Sequence, residues 1–187
     1  MKHLLILILI ISASGCSLIK GKSKTPEPTA VVTAPQKQFL QTSQILNADR
    51  LKKGGRILVI PFAPGSNASA NEESERAALM IVQGIAGYLN GNFTPFSVLD
   101  AANADSADFI LQGRILAMNE TGRLKKMTLR KNRKSIMVEG KMVDAKSGEI
   151  VLHFTDSEEG RDKKQTFSEL GAVIGQDIGN FLVSCFN

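Results

Sequence analysis

The chain has 187 residues, 43% of them hydrophobic but only 5% aromatic, and a formal net charge of +5. One tyrosine and no tryptophan exclude a groove built on exposed rings, the usual device for stacking sugars or single-stranded nucleic acid. Two cysteines, Cys16 and Cys185, exclude the disulfide framework that staples small secreted domains, so stability must come from burial.

Lys2, an unbroken apolar run over 4–11, and Ala13, Ser14 and Gly15 ahead of Cys16 make the charged start, greasy centre and small-residue exit of a secretory signal. The run is too short to span a bilayer as a helix. The segment resembles the lipobox of bacterial lipoproteins, which implies cleavage before Cys16 and acyl chains on its sulfur and amino group. That motif more often has Leu where Ala13 stands; the small side chains that fit the peptidase and the thiol that takes the lipid are both here. The plainer alternative is an uncleaved anchor, or an ordinary signal with a chance cysteine. Ser17, rather than Asp, is what the resemblance associates with the outer membrane, with the rest of the chain in the periplasm.

Residues 17–36 are Lys, Ser, Thr and Ala with Pro26, Pro28 and Pro35, a composition that cannot bury enough apolar surface to order itself. This is a flexible tether, with a root-mean-square reach of roughly 30 to 35 Å for about 35 residues. Phe39, Leu40, Ile45, Leu46 and Leu51 suggest a short amphipathic stretch, a possible short helix lying on the domain. The organisation expected is a signal peptide over 1–15, an acylated cysteine and tether over 16–53, and one globular domain over 54–187.

Within the domain, Ile57, Leu58, Val59 and Ile60 before Pro61 predict a buried strand. Glu72, Glu73 and Glu75 crowd the first turn of a helix carried by Ala77, Ile81, Ile85 and Leu89 and ended by Asn90-Gly91. Strands are expected over 96–99 and 109–118, with a short helical turn over 101–107 between them. Alternation over 135–143 and 149–155, joined by the turn-forming residues 144–148, predicts a hairpin. Thr166 and Glu169 form a capping box for a last helix through Leu170, Ile174, Ile178, Phe181, Leu182 and Cys185. The class is α+β: a single mixed sheet in the order β-α-β-(short α)-β-β-β-α, with two long helices packed on it.

Three segments, 57–62 (Ile-Leu-Val-Ile-Pro-Phe), 107–115 (Ala-Asp-Phe-Ile-Leu-Gln-Gly-Arg-Ile) and 144–151 (Asp-Ala-Lys-Ser-Gly-Glu-Ile-Val), carry a resemblance. They are similar, in order, to segments of an envelope-protein group with an anticodon-binding-domain-like fold that includes CsgG-like secretion lipoproteins, LpoB-like activators of penicillin-binding proteins and TolB N-terminal domains. The resemblance implies a non-enzymatic accessory, scaffold or regulator of an envelope assembly of the cell-wall synthesis or secretion type, with an envelope protein as partner. The chain lacks the paired membrane hairpins of CsgG-like pores, so a channel is not expected.

No catalytic set is expected: His153 is the one histidine after the signal, and it lies on a predicted strand without a nucleophile beside it. Asp100, Asp105 and Asp108 bracket a turn but lack the spacing of a calcium loop, so no metal and no cofactor is expected. Cys185 suits a small core residue. Two features suggest surfaces. Arg123, Lys125, Lys126, Arg130, Lys131, Arg133 and Lys134 crowd one connection between strands. They form either a solvated hairpin tip or a contact for a partner or an anionic envelope polymer such as lipopolysaccharide or wall glycan; without interleaved aromatics they do not suit nucleic acid. Gly171, Gly175 and Gly179 recur every fourth residue along the last helix, which suits either tight packing against the first helix at Gly84 and Gly87 or a contact between copies of the chain. Whether the protein forms a homo-oligomer stays open.

Overall fold

The computed structural model describes residues 39–120, 133–162 and 164–186. In chain order the elements are β1 (Thr42–Ile45), α1 (Ala48–Lys52), β2 (Gly55–Val59), β3 (Ala63–Asn67), α2 (Glu72–Gly91), β4 (Phe96–Leu99), a 3-10 turn (Ala101–Ser106), β5 (Phe109–Glu120), β6 (Lys134–Asp144), β7 (Ile150–Glu159) and α3 (Phe167–Ser184). Among the described residues, the seven strands form one mixed sheet in the order β1-β7-β6-β5-β2-β4. β2 and β3 follow one another along the same edge of β5, with Ile57 opposite Phe109 and Pro64 opposite Ile115. The fold class is the one the hydrophobic patterning predicts.

Two of these strands, β1 and β3, were not predicted, and the possible short helix is α1. β1 pairs antiparallel with β7, α1 buries Leu51, and β3 lies on β5. β1 and α1 carry the folded part back from Gly54 to Phe39, where the sequence reading has tether with a possible short helix. Neither β1 (Thr-Ser-Gln-Ile) nor β3 (Ala-Pro-Gly-Ser-Asn) has apolar alternation, because neither contributes a buried face; each is held by the strand it borders.

One face of the sheet is apolar and covered. Ile57, Phe109, Leu111, Ile115, Ile136, Val138, Met142, Leu152 and Phe154 lie beneath Ala77, Ile81, Ile85 and Leu89 of α2 and Leu170, Ile174 and Ile178 of α3, all in one buried cluster. Gly113 and Gly140 face each other across β5 and β6 and hollow this surface. A methyl group on Gly113 would overlap the Phe62 ring, and one on Gly140 the Phe154 ring, so two aromatic side chains fill the space two glycines leave.

The opposite face carries neither α2 nor α3, and its aliphatic side chains are half-buried. Leu99, Leu58, Ile110, Val143 and Ile150 stand in register across five adjacent strands, from β4 to β7. Beside this aliphatic row the face turns polar, with Gln112, Lys141, His153 and Gln44 opposite one another in the next row and Arg114, Glu139, Thr155 and Thr42 in a further one.

α1 closes the end of the sheet where β2 and β5 begin. Arg50 makes an ion pair with Asp144, donates to the carbonyl oxygens of Gly54 (3.4 Å) and Asp108 (3.3 Å), and stacks 4.0 Å from the centroid of Phe109. Asp144 accepts from the backbone N–H groups of Ser147 and Lys146 as well; these bonds and the Arg50 guanidinium, with the Ser147 bond first, hold its carboxyl down at about 2.

Candidate functional site

α3 and α2 run in the same direction, and the glycine stripe lies between them. A methyl on Gly171 would stand 2.6 Å from the Ala77 carbonyl oxygen; one on Gly175 would overlap the Ile81 carbonyl oxygen and stand 2.9 Å from the Gly84 Cα; one on Gly179 would stand 2.8 Å from the Tyr88 Cβ. The helices therefore approach backbone to backbone, which only glycine permits. Gly84 belongs to the seam, with the Gly175 Cα about 3.0 Å from where its Cβ would stand. Gly87 does not: it is exposed and faces open space, which corrects the pairing read from sequence. Tyr88 Oη donates to Asn180 Oδ1 across the same contact.

Parallel helices place two positive dipole ends side by side, and the sequence answers with acids at both. α2 begins on a capping box of Asn71 and Ser74 with Glu72, Glu73 and Glu75 in its first turn; α3 begins on the Thr166–Glu169 box. Lys134 stands against these ends, 3.8 Å from Glu73 and 4.9 Å from the centroid of Phe167, while Arg133 lies 3.6 Å from Glu159. These two cations of the basic cluster are thus tied to acids at the base of the β5–β6 connection. Arg123, Lys125, Lys126, Arg130 and Lys131, like Ala13, Ser14, Gly15 and Cys16, lie outside the described residues.

The described chain begins at that same end of the sheet. Residues 39–41 run beside β7, and with Asp156, Ser157, Glu158 and Asp177 they line an open cleft of about 320 Å³. The backbone N–H of Gln41 donates to Asp156 Oδ1 at 3.3 Å, Thr42 and Thr155 share a 2.7 Å hydroxyl bond, and the Leu46 N–H reaches the Val151 carbonyl oxygen at 2.9 Å. Asp156 is only 5% exposed. Burial, together with the nearby Asp177 and Glu158, pushes its carboxyl up to about 7 although two backbone N–H groups pull the other way; burial first, then Glu158, also raises Asp177. The sequence reading stops β7 at Thr155 and misses this group. Its signal was the alternation Leu152, Phe154, Asp156, Glu158, a buried face that runs on into acids.

The other candidates sit apart. His153 is exposed on the open face, opposite Lys141 and Gln44. Asp108 accepts from the backbone and side chain of Arg56, which in that order lower its pKa, and no group of residues able to hold a metal exists among those described. Burial raises the Cys185 thiol to about 11, and its sulfur donates to the Phe181 carbonyl oxygen. Among the described residues no helix is long and apolar enough to cross a membrane.

No family model matches the chain, and no curated protein matches it in sequence. Solved structures do match in shape. The PelC dodecamer from Paraburkholderia phytofirmans superposes with a TM-score of 0.54 at 12% identity, covering 76% of this chain and 96% of that one. A dodecameric point variant of the same protein does so at 0.54 and 13%, covering 76% and 98%. Lipoprotein GNA1162 from Neisseria meningitidis is a weaker likeness, with a TM-score of 0.43 at 14% identity over 69% of this chain and 98% of that one. At such identities the likeness to PelC establishes a shared fold.

Proposed function

We propose that this chain is a lipid-anchored, non-enzymatic accessory or scaffold of the bacterial envelope, held to the outer membrane through Cys16 with its domain in the periplasm. The observation that carries the scaffold reading is the sheet face without a long helix, with its half-exposed row of five aliphatics. A half-exposed apolar row, open at Ile150 and flanked by polar rows, suits a protein partner. We assign further copies of this chain to that face, and the fold shared with a protein that assembles as a dodecamer supports the assignment. Anchored copies joined through their domains form a patch at the membrane, on which an envelope assembly of the cell-wall or secretion type can be built.

The second reading is a binding module for an anionic envelope polymer such as lipopolysaccharide or wall glycan. It is favoured by the position of the basic connection, which leaves from Glu120 and returns at Arg133 on the end of the sheet where Phe39 lies. With Arg133 and Lys134 held by acids, the polymer contacts fall to Arg123, Lys125, Lys126, Arg130 and Lys131.

Crosslinking in intact cells, followed by membrane fractionation, tests both readings. The parent chain should sediment with outer membranes and crosslink to itself. Cys16→Ser should leave the membrane fraction, since one residue carries every acyl chain, and Ile110→Lys should lose the self-crosslinks. A Cys16→Ser chain that stays membrane-bound overturns the anchor. Self-crosslinks unchanged in Ile110→Lys, alongside polymer binding that collapses with salt, would favour the second reading.

A further inference from the structure

We propose that Asp156 is a proton-controlled latch: protonated, it holds residues 39–45 on the edge of the sheet, and ionised, it lets them go. The latch itself rests on the geometry of β7. Its consequence for the reach of the tether rests on the anchored reading above.

Period-two alternation puts Asp156 on the covered face of β7, in line with Leu152 and Phe154, where a hydrophobic residue would ordinarily stand. What covers it is the N-terminal segment. Leu40 is 3% exposed, Phe39 packs on the core, and Gln41 gives its backbone N–H to the carboxyl across 115 positions of sequence. Among the described residues, the charged groups facing this site are acids: Asp177 from α3 and Glu158 from the same strand. Val138 faces it from β6, and Phe39, Leu40 and Gln41 bring no charge. Among the described residues no ion pair reaches Asp156.

Ionising a carboxyl so placed puts a negative charge in a buried position beside two others. The bond from Gln41 favours the ionised form, but burial outweighs it, and the group titrates at about 7. Lifting residues 39–41 would let water reach the charge. Because the docked pKa lies above the ordinary value of 3.8, docking takes up a proton. Its contribution is full below about pH 4, falls as pH rises, and is spent above about 7. The docking equilibrium then weakens on the order of fiftyfold between pH 5 and pH 7. Freeing 39–45 adds about 25 Å to the contour of the tether, so the domain would stand close to its anchor in acid and range further at neutral pH.

Hydrogen exchange on the purified full chain between pH 5 and pH 8, corrected for intrinsic rates, tests the latch. Protection at Gln41 should fall on the order of fiftyfold between pH 5 and pH 7 relative to Phe154. Asp156→Asn, which keeps an oxygen for the Gln41 N–H but cannot ionise, should be equally protected throughout. Asp177→Asn should keep the slope and move its midpoint to lower pH. Protection at Gln41 that does not change with pH overturns the proposal, as does an unaltered slope in Asp156→Asn. Should Asp156→Asn not fold, the parent slope and its displacement by Asp177→Asn decide alone, and an undisplaced midpoint counts against it. All these readouts are indifferent to whether Cys16 carries lipid.

Discussion

Two regions hold this molecule together by opposite means. Between α2 and α3 the contact is backbone on backbone: Gly171, Gly175 and Gly179 leave no room for a methyl and carry no charge. Along the N-terminal segment the contact is a handful of polar bonds, Gln41 to Asp156, Thr42 to Thr155 and Arg50 to Asp144, around two buried leucines. The seam depends on shape and is indifferent to protons. The clasp depends on the charge state of the two carboxyls it grips, Asp156 and Asp144. A domain built this way can keep its sheet rigid while the connection to its tether responds to the surroundings.

The largest effect that would break this contrast lies in the seam. Gly175→Ala gains about 1 kcal/mol of helix propensity but drives a methyl into the Ile81 carbonyl, which no rotamer change relieves. A net loss of about 2 to 3 kcal/mol is expected, read as a fall in Tm of about 10 °C. An unchanged or higher Tm would show that the helices part readily. On the clasp, Arg50→Ala removes the ion pair, two carbonyl contacts and the ring stacking, and leaves Asp144 buried without its cation. A loss of about 2 kcal/mol in urea unfolding is expected. It should shrink in acid. The folded pKa of Asp144 lies below the ordinary 3.8, so the stability it lends is present above about pH 4 and lost as pH falls through about 2. The smallest effect sharpens the first: Gly87→Ala sits one turn from the seam with open space around it and should stabilise by about 1 kcal/mol. The same substitution would then take opposite signs on the two facing helices.

What could be read from the sequence divides along the same line. The seam was legible, because glycines every fourth residue in an amphipathic helix are costly without a close neighbour, and the Thr166–Glu169 box marks where that helix starts. The covered strands were legible from alternation or apolar runs. The clasp was not. β1 and α1 are four and five residues long, and their register comes from β7 and the Asp144 turn rather than from their own side chains. The cap of α2 was missed because its third helical residue is Ser74, where a capping box more often has Glu or Gln. Asp156 lies one residue past the point where the strand stopped looking like one. Burial of a carboxyl is settled by what folds over it, here a segment more than a hundred residues away.

The two glycines at the centre of the sheet carry an evolutionary consequence. Gly113 is filled by Phe62 and Gly140 by Phe154, so neither member of a pair is free to vary alone. A side chain at 140 would require a smaller one at 154, and one at 113 would require both a smaller one at 62 and a shift of the Glu139 carbonyl. The middle of this sheet is thus expected to change only in matched pairs, whereas the aliphatic row on the other face, clear of α2 and α3, is under no such demand.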